Sequence, residues 1–339
     1  MIRVERFAGQ PDEWDRFVRT APGWTHFHLY GWRSVMERVF HHPCLYLAAW
    51  DGNTLVGVLP LVRVKSALFG HYLVSMPFVN YGGPLGSDAA ILALTEAAEG
   101  QARQDKVKLL ELRSRRQLPI GLPVSTRKIT VVLDLPNDPD RLMKQLDAKV
   151  RSQVRRPQKD GVTVHFGRDQ LDPFFSVFAH HMRDLGTPTQ SQRLFEVIAE
   201  TFPDDVWFGC AYLGDEAIAG GCGFRWGNEF EMTWASALNA YKKLSANMLL
   251  YWSFMERAIN VGCTAFNFGR CSPDGGTHKF KKQWGSRDEQ LYWYDWSAAA
   301  GTKTPSPDDG AYSWGPRLWQ RLPVPIATAL GPNIVKFIP

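Results

Sequence analysis

Two stretches of the chain share one alternation of apolar and polar positions. Residues 46–58, YLAAWDGNTLVGV, predict a strand, a tight Asp-Gly-Asn turn and a second strand. Residues 208–220, FGCAYLGDEAIAG, repeat this design with Gly-Asp-Glu at the turn. Each stretch is therefore predicted to form a β-hairpin, and their similarity points to a duplicated unit.

A second pair of matching segments follows the hairpins in the same order. Residues 90–113 have a helical apolar period, a Lys-Val-Lys break and then the strand LLELR; residues 247–270 have a helical period and then the strand TAFNFGR. Arg113 and Arg270 align without a gap. The chain is therefore expected to contain two copies of an α/β (α+β) unit, each a mixed sheet flanked by helices.

The length also favours two domains, because 339 residues exceed what one core usually holds. Proline and aspartate residues are frequent at 133–140, which indicates a loop between domains. The expected domains are therefore 1–135 and 136–298.

Residues 299–339 are expected to be a linker and a C-terminal tail. The stretch SAAAGTKTPSPDDGAYS has the composition of a flexible linker. The tail is apolar, basic and interrupted by prolines, and is expected to pack back on the body. Contact of Trp314, Trp319 and Arg321 with a membrane surface is the alternative.

The net charge of +5 is modest, but basic residues cluster in two places. Two interpretations stay open, a solvated helix face or a surface for a polyanion such as tRNA, a nucleotide-linked precursor or acidic lipid. The second and larger cluster lies in a helix expected to end near Pro157 and comprises Lys144, Lys149, Arg151, Arg155, Arg156 and Lys159.

Cysteine usage and hydropathy point to a cytoplasmic protein, with the inner face of the cytoplasmic membrane as the alternative site. The five cysteines are scattered, without CxxC spacing, which is typical of reduced thiols. The two His-His pairs point apart on any regular element, so no metal site is expected. No apolar run reaches the ~18 residues of a spanning helix, and the start MIRVERF does not resemble a secretory signal.

The densest group of candidate functional residues is FNFGRCSPDGGTHKFKKQWG, at 266–285. A strand ends there, a Gly-Gly loop follows, and cationic and aromatic residues come next. Ligands of open α/β sheets lie beyond the carboxyl ends of strands. Arg270 and Lys281 are therefore expected to face one shared site, as donors to an anionic ligand or a developing oxyanion. The alternative is that they are surface charges.

This stretch resembles the FemAB-like branch of the GNAT superfamily, whose typical pattern is FDFGR…G…FKKQWG. The segments HLYGW (28–32), VGVLPLV (56–62), LVSMPFVNYGGPL (73–85), LELR (110–113) and NMLLYW (247–252) resemble the same branch. The resemblance covers nearly the whole chain and is strongest to the subgroup found with exosortase and exopolysaccharide systems. Asn267 replaces the usual aspartate, which keeps a hydrogen-bonding side chain and removes its charge.

The resemblance implies transfer of an amino acid from aminoacyl-tRNA, or of an acyl group from acyl-CoA, onto an amine. It implies that Lys281 lies near the oxyanion or the tRNA end, and that Arg270 lines the pocket. Glu231 is the candidate base, with an exposed strand carboxylate as the alternative. The expected substrate-binding residues of this half are Asn247, Tyr251, Asn267, Phe280 and Trp284.

The donor is expected to be aminoacyl-tRNA or acyl-CoA, with no tightly bound cofactor; one loop favours aminoacyl-tRNA and leaves the choice open. Acyl-CoA-binding GNAT proteins place a glycine-rich turn before the central helix, where backbone N–H groups hold the pyrophosphate. The equivalent stretch here, 242–247, has no glycine. Lys242 can still meet a phosphate, and Ser245 or Asn247 can cap the helix.

The first half is expected to help bind the acceptor. Ser75 and Tyr81 flank and enter a Gly-Gly-Pro turn and can form hydrogen bonds, although a purely structural turn is the alternative. His28 and Trp32 lie four residues apart and are expected to face one groove on a helix, with a core histidine as the alternative.

Two functional hypotheses follow. The first is an aminoacyl- or acyltransferase that forms an amide bond on an amine-bearing cell-envelope or exopolysaccharide precursor. The second is a catalytically silent GNAT-like binding module of an exosortase or exopolysaccharide pathway, which the glycine-free loop and Asn267 support. The sequence leaves open the donor, the acceptor, the transferred group, the general base, the oligomeric state and whether the tail contacts a membrane.

Overall fold

A computed structural model describes residues 2–66, 70–298 and 314–338 of the chain. The chain divides into two compact units, and neither is continuous in sequence. The first unit contains the chain up to Ile129, the segment that starts at Gln290 and the end of the chain from Lys336. The second unit contains Thr130–Glu289 and the tail up to Val335. No helix within the described residues is long and apolar enough to cross a membrane.

The first unit contains one mixed sheet with helices. In spatial order its strands are β1 (Ile2–Arg6), β2 (Cys44–Asp51), β3 (Thr54–Ser66), β4 (Gly70–Val74), β6 (Leu109–Ser114), β15 (Tyr292–Ser297) and β7 (Val124–Ser125), with the short β5 (Leu85–Gly86) pairing with β3. Its helices are α1 (Pro11–Thr20), α2 (Trp32–Phe40) and α3 (Asp88–Gln104), with a short 3₁₀ helix at His26–His28.

The core of the first unit forms where α3 packs on the sheet. Buried aliphatic side chains from α3, including Ile91 and Leu94, meet Leu59 of β3 and Leu110 of β6. Alternate residues of a strand point to one face, so the apolar alternation seen in the sequence places these side chains on the helix-covered side. Tyr294 of β15 belongs to the same cluster.

The second unit repeats this arrangement. In spatial order its strands are β14 (Arg287–Gln290), β8 (Ile129–Asp134), β13 (Ala265–Cys271), β12 (Glu229–Ala237), β11 (Glu216–Trp226), β10 (Val206–Leu213) and β9 (Val162–Phe166). Its helices are α4 (Pro139–Gln145), α5 (Ala148–Lys159), α6 (Leu171–Leu185), α7 (Gln192–Thr201), α8 (Ala246–Asn260), α9 (Gly276–Lys282), α10 (Trp314–Trp319) and α11 (Val324–Val335), with 3₁₀ turns at Arg168–Gln170 and Asn239–Leu244.

An aromatic cluster holds α6 and α7 against the second sheet. The ring of Phe195 lies 4.9 Å from that of Phe174 and 5.2 Å from that of Trp234, both nearly perpendicular to it. Such edge-to-face contacts add to the apolar area that the rings bury. Helix α8 packs on the same sheet, where the Phe254 ring stacks 5.5 Å from that of Phe230.

The strands of the two sheets correspond one to one in spatial order. In each sheet, the sixth strand comes from the segment that follows the other repeat in sequence. In the order β1-β2-β3-β4-β6-β15-β7 the sixth strand is β15, which follows the second repeat in sequence. In the order β9-β10-β11-β12-β13-β8-β14 it is β8, which follows the first repeat. The two repeats therefore exchange their sixth strands.

Both predicted hairpins and both predicted helix–strand pairs are confirmed by β2–β3, β10–β11, α3–β6 and α8–β13. The helix end expected near Pro157 is confirmed to within two residues. Pro157 lies in the last turn of α5, and its ring is buried while the helix continues to Lys159. The expected linker lies almost wholly outside the described residues.

The tail packs back on the second unit, as expected. Gln320 Nε2 donates a hydrogen bond to the Asp184 carbonyl oxygen at 3.1 Å, and Arg183 Nη1 donates to the Leu322 carbonyl oxygen at 3.0 Å.

The unit boundaries differ from the expected 1–135 and 136–298. The strand β8 begins at Ile129 and pairs in the second sheet, which moves the division to Ile129 and Thr130. The strand β15 pairs in the first sheet, so the segment from Gln290 returns to the first unit.

Candidate functional site

The strands β12 and β13 of the second unit are parallel and pair over only three residues each. Glu229, Phe230 and Glu231 of β12 are opposite Ala265, Phe266 and Asn267 of β13. Beyond that point β12 continues to Ala237 and β13 to Cys271. The carboxyl-terminal parts of the two strands therefore diverge, and a cleft opens where ligands of α/β sheets usually bind.

A cavity of about 320 Å³ lies along the end of β12 that no longer pairs with β13 and is called the β12 cavity below. Its walls come from α6, β12, the first turns of α8 and the helix α9. Its lining residues are His181, Ala235, Ser236, Ala237, Asn247, Leu250, Tyr251, Gly276, Thr277 and Phe280. Three of these, Asn247, Tyr251 and Phe280, are residues that the sequence indicated as substrate-binding.

Aromatic packing fixes the position of Tyr251 in this wall. Its ring lies 5.1 Å from Phe280 of α9 and 5.7 Å from Phe268 of β13. Burial raises the pKa of Tyr251, so its hydroxyl stays protonated at neutral pH. Tyr251 therefore ties α8, α9 and β13 together and presents a neutral hydroxyl.

The sequence did not single out three polar residues of the β12 cavity: His181, Ser236 and Thr277. Burial lowers the pKa of His181, which keeps the ring neutral, and the ring forms a hydrogen bond with the Ala237 backbone. The sequence offers one indication of His181: the helical period of α6 places one of the two adjacent histidines on the face that packs inward. No local pattern distinguishes Ser236 or Thr277.

Lys281 is held inside the second unit rather than presented to the cavity. Its side chain is 3% exposed, and Nζ donates to the carbonyl oxygens of Gly269 at 2.6 Å and Arg270 at 3.1 Å. Burial lowers the pKa of Lys281 to about 8. The ammonium group thus connects α9 to the end of β13.

Arg270 and Lys281 were expected to face one shared site. Neither residue lines the β12 cavity, so that cavity is not the expected shared site. Arg270 is half-buried and lies close enough to Lys281 for its charge to lower the pKa of that amine.

Glu231 and Asn267 lie side by side at the point where β12 and β13 separate, and both are fully buried. The alternative of an exposed Glu231 is therefore wrong. The Asn267 Oδ1 accepts hydrogen bonds from Thr130 Oγ1 at 2.6 Å and from the Gly269 N–H at 2.8 Å, and Nδ2 donates to Glu229 at 2.8 Å. The amide thus joins three strands, which a charged aspartate could not do in the same way because it has no N–H to donate.

The turn before α8 differs from the expected cap. Ser245 is the N-cap residue but has a φ of +56°, and its side chain makes no capping hydrogen bond. Lys242 lies on the preceding 3₁₀ turn and is exposed.

Trp284 is 1% exposed and lines a separate cavity of about 230 Å³ beside Leu142 and Arg287. It is therefore not a wall of the β12 cavity.

His28 and Trp32 of the first unit lie on different helices, so the expected shared helix is wrong. His28 ends the 3₁₀ helix, and Trp32 begins α2. The His28 Nδ1 accepts from the Thr25 N–H at 3.0 Å, while Nε2 lies 3.0 Å from the Gly83 carbonyl oxygen. Burial lowers the pKa of His28 to about 4, so the ring is neutral. Trp32 Nε1 donates to His26 at 3.1 Å.

The Gly-Gly-Pro turn is anchored to the end of β6. The N–H groups of Gly82 and Gly83 donate to the Arg113 carbonyl oxygen at 3.1 and 2.7 Å, and Ser75 Oγ accepts from the Arg113 N–H at 2.8 Å. A Cβ atom at Gly82 would lie 2.4 Å from Met76 Cγ, which requires glycine there. Tyr81 is 1% exposed. The structure thus brings Ser75, Tyr81 and His28 together around one turn.

Arg113, the counterpart of Arg270 in the first unit, forms a buried ion pair. Its Nε lies 2.6 Å from Glu111 Oε1, and its guanidinium carbon lies 4.5 Å from the centre of the Trp293 ring. The duplicated arginines therefore have different surroundings. Among the described residues, no group of three or more His, Cys, Asp and Glu side chains is arranged to hold a metal ion.

Comparison with known proteins finds one matching family model, which lies within the second unit. Residues 144–282 match the acetyltransferase (GNAT) domain. No curated protein matches the sequence. The structure is similar to that of FemX, with a TM-score of 0.66 and 17% identity over 86% of this chain and 97% of that one.

Two further structures share the arrangement. L-PGS from Bacillus licheniformis has a TM-score of 0.55 and 13% identity, covering 97% of both chains. A tandem GNAT protein from the clavulanic acid biosynthesis pathway has a TM-score of 0.54 and 13% identity, covering 89% of this chain and 100% of that one. The chain therefore has a tandem GNAT fold, and residues 144–282 of its second unit match the acetyltransferase (GNAT) domain model.

Proposed function

We propose that this protein is an aminoacyl- or acyltransferase of the FemAB type that forms an amide bond at the cleft of the second unit. The observation that carries the proposal is the divergence of β12 from β13, which opens the β12 cavity inside the region that matches the GNAT domain. The acceptor, an amine-bearing cell-envelope or exopolysaccharide precursor, rests on the sequence resemblance alone.

The reaction requires little from the protein beyond positioning and charge stabilisation. The acceptor nitrogen attacks the donor carbonyl carbon, a C–N bond forms, and the carbonyl oxygen becomes an oxyanion. Collapse of this intermediate breaks the bond to the donor oxygen or sulfur, and the proton lost by the amine ends on that leaving group.

Asn247 is suited to stabilise the oxyanion. It lies in the first turn of α8 and lines the β12 cavity, and its side-chain amide makes no hydrogen bond with any described residue. The positive end of the helix dipole adds to the effect of the amide N–H groups. Glu231, at the head of the cleft, is retained as the candidate base, and Lys281 as the residue that positions α9.

The proposed donor is aminoacyl-tRNA, with acyl-CoA as the alternative; both are made in the cytoplasm, where the proposed reaction takes place. The turn at 242–247 contains no glycine for close backbone contact with a pyrophosphate. The exposed basic face of α5, which includes Lys149, Arg155 and Lys159, offers positive charge to a polyanionic donor.

The proposal is tested by thermal shift with acetyl-CoA, a long-chain acyl-CoA and aminoacyl-tRNA, followed by transfer assays with any donor that stabilises the protein. We expect one donor class to raise the melting temperature and Asn247→Ala to lower kcat about a hundredfold. Asn228→Ala, at the opposite end of β12, is the matched control. Indifference to every donor would instead favour the silent binding module.

We also propose that the tail contacts an anionic membrane surface. Leu318, Ile326 and Leu330 are 58%, 47% and 49% exposed, and the exposed Arg317 and Arg321 lie near Leu318 in sequence. Exposed apolar side chains beside cations are typical of interfacial segments. Flotation with phosphatidylglycerol vesicles tests this, with Ile326→Ser/Leu330→Ser as the loss-of-binding variant and Leu92→Ser, an exposed leucine of α3, as the control.

A further inference from the structure

Two side chains in the wall of the β12 cavity carry hydroxyl groups that form no hydrogen bond with the described part of the protein. Ser236 is 6% exposed and Tyr251 is 9% exposed, and neither side chain forms a hydrogen bond with any described residue. The two hydroxyl oxygens therefore remain accessible from the cavity and can donate or accept a hydrogen bond. A group bound in the cavity can supply partners to both.

The remaining polar groups of the cavity are neutral as well. The Asn247 amide and the Thr277 hydroxyl form no side-chain hydrogen bond with a described residue, and the His181 Nδ1 is buried without one. The cavity wall contains no aspartate, glutamate, lysine or arginine. A charged group placed there would lose its hydration and meet no opposite charge, which is strongly unfavourable.

The cavity is positioned to receive the transferred end of a donor. Asn247, in the first turn of α8, lines it, and the exposed Lys242 and Lys243 lie immediately before that helix. These two lysines can attract the phosphates of a donor by their charge, without the close backbone contact that the glycine-free turn disfavours. A donor anchored by its phosphates at this point therefore directs its other end along α8 into the cavity, whose volume of about 320 Å³ suits a small group.

We propose that the β12 cavity is the subsite for the transferred group, and that it selects a group whose side chain is uncharged and bears a hydroxyl or amide. This inference rests on the proposed transferase function and adds the class of group transferred. A hydroxyacyl group and a seryl group with its α-amine unprotonated share this chemistry; propionyl lacks the hydrogen-bonding function, and succinyl, aspartyl and lysyl groups have a charged side chain or chain end.

The direct test measures binding of three N-acetylcysteamine thioesters to the full chain by ligand-observed NMR. The lactoyl thioester carries a hydroxyl, the propionyl thioester lacks it, and the succinyl thioester carries a carboxylate. We expect the lactoyl compound to bind about three- to tenfold more tightly than the propionyl compound, as one or two neutral hydrogen bonds provide, and the succinyl compound to bind more weakly than both.

Matched variants assign the preference to the two hydroxyls that line the cavity. Tyr251→Phe and Ser236→Ala are each expected to bring the lactoyl-to-propionyl ratio towards one. Tyr212→Phe removes a hydroxyl of the same unit that hydrogen-bonds to Gln170 and lies outside the cavity, and should leave the ratio unchanged. Melting temperatures confirm that each variant folds. Equal or tighter binding of the succinyl thioester, an unchanged ratio in both cavity variants, or no binding of any thioester would overturn the proposal.

Transfer assays with lactoyl-CoA, succinyl-CoA, seryl-tRNA and aspartyl-tRNA separate this inference from the proposed function and distinguish the two donor sources. Transfer of charged and hydroxylated groups at equal rates would keep the transferase and overturn the cavity assignment. A hydroxyl preference in thioester binding with no transfer from any donor would keep the ligand preference of the cavity and overturn the transferase, and with it the role of the cavity in transfer.

Discussion

Lys281 shows how the chemical surroundings of one residue change its expected role. A lysine near a strand end suggested a cation facing the reaction, but its ammonium group is bound to two backbone carbonyl oxygens and is nearly inaccessible. Because these carbonyls belong to β13 and the lysine to α9, its main effect is to hold α9, which contributes Gly276, Thr277 and Phe280 to the β12 cavity.

We predict that Lys281→Ala lowers the free energy of unfolding by about 2–4 kcal/mol, since it leaves two buried carbonyls unpaired and opens space beneath α9. Denaturant unfolding of the variant measures this. A variant as stable as the parent chain that nevertheless loses transfer activity would contradict the positioning role and support a direct role for the ammonium group. Lys279→Ala, exposed on the same helix, is the control.

Asp295 of β15 makes the first unit sensitive to pH. Burial, with a further contribution from the charge of Glu111, raises the pKa of Asp295 to about 7. Between the ordinary carboxyl pKa and about 7, the folded state binds a proton that the unfolded state releases. The contribution of this group to stability is therefore full at low pH and falls as the pH rises towards 7.

We predict that the unfolding free energy decreases by about 1–2 kcal/mol from this group between pH 4 and 7, a value reduced for the partial exposure of the side chain. Asp295→Asn should remove that part of the pH dependence. Unfolding of the first unit is followed at several pH values, with Asp12→Asn, exposed on α1, as the control. An identical slope in Asp295→Asn and the parent chain would show that another group is responsible.

At the scale of elements, the close approach of β11 and β12 depends on Gly223, which has no side chain. The pairing shifts between Cys222 and Gly223, and a Cβ atom at Gly223 would lie 2.2 Å from the Glu231 carbonyl oxygen. Glu231 is also the last residue of β12 that pairs with β13. The glycine therefore helps define the point at which the cleft opens.

Gly223→Ala is predicted to destabilise the second unit by about 1–3 kcal/mol, because the two strands must move apart to admit the methyl group. Gly100→Ala is the opposite case. Gly100 lies inside the helix α3 with open space around its added Cβ, so the change should stabilise the first unit by about 0.5–1 kcal/mol. Thermal unfolding of both variants checks the pair, and a tolerated Gly223→Ala would show that the strands can adjust.

On the scale of the whole molecule, the exchange of sixth strands makes each unit depend on a distant part of the chain. The strand β15 pairs with β6 on one side and β7 on the other. The Tyr294 hydroxyl of β15 accepts a hydrogen bond from the Leu118 N–H at 2.7 Å, and its ring lies in the core of the first unit. The first unit is thus completed only after the second has been synthesised.

We predict that a chain ending at Glu289 loses protection from hydrogen exchange in β6 and α3, because β6 gains an unpaired edge and the core loses Tyr294. Hydrogen exchange by mass spectrometry measures this. Addition of a synthetic peptide of residues 290–298 should restore protection, whereas the same peptide with Tyr294→Ala should restore less. Full protection in the shortened chain would contradict the proposed dependence.

The sequence by itself determined the repeated unit. The hairpins at 46–58 and 208–220 and the helix–strand pairs that follow were predictable because alternation and helical period are local properties of the chain. Three residues of the β12 cavity, Asn247, Tyr251 and Phe280, were also identified, since they lie in or beside motifs at the start of α8 and in α9.

Only the tertiary structure decided where β8 and β15 pair. The alternation of apolar and polar residues within a strand does not depend on which strands lie next to it in the sheet, so the sequence pattern does not identify the neighbours. It also decided that Lys281 is directed towards backbone carbonyls and that His181 and Ser236 border the same space as Tyr251. These side chains are far apart in sequence, and their directions follow from packing between elements rather than from the pattern within any one of them.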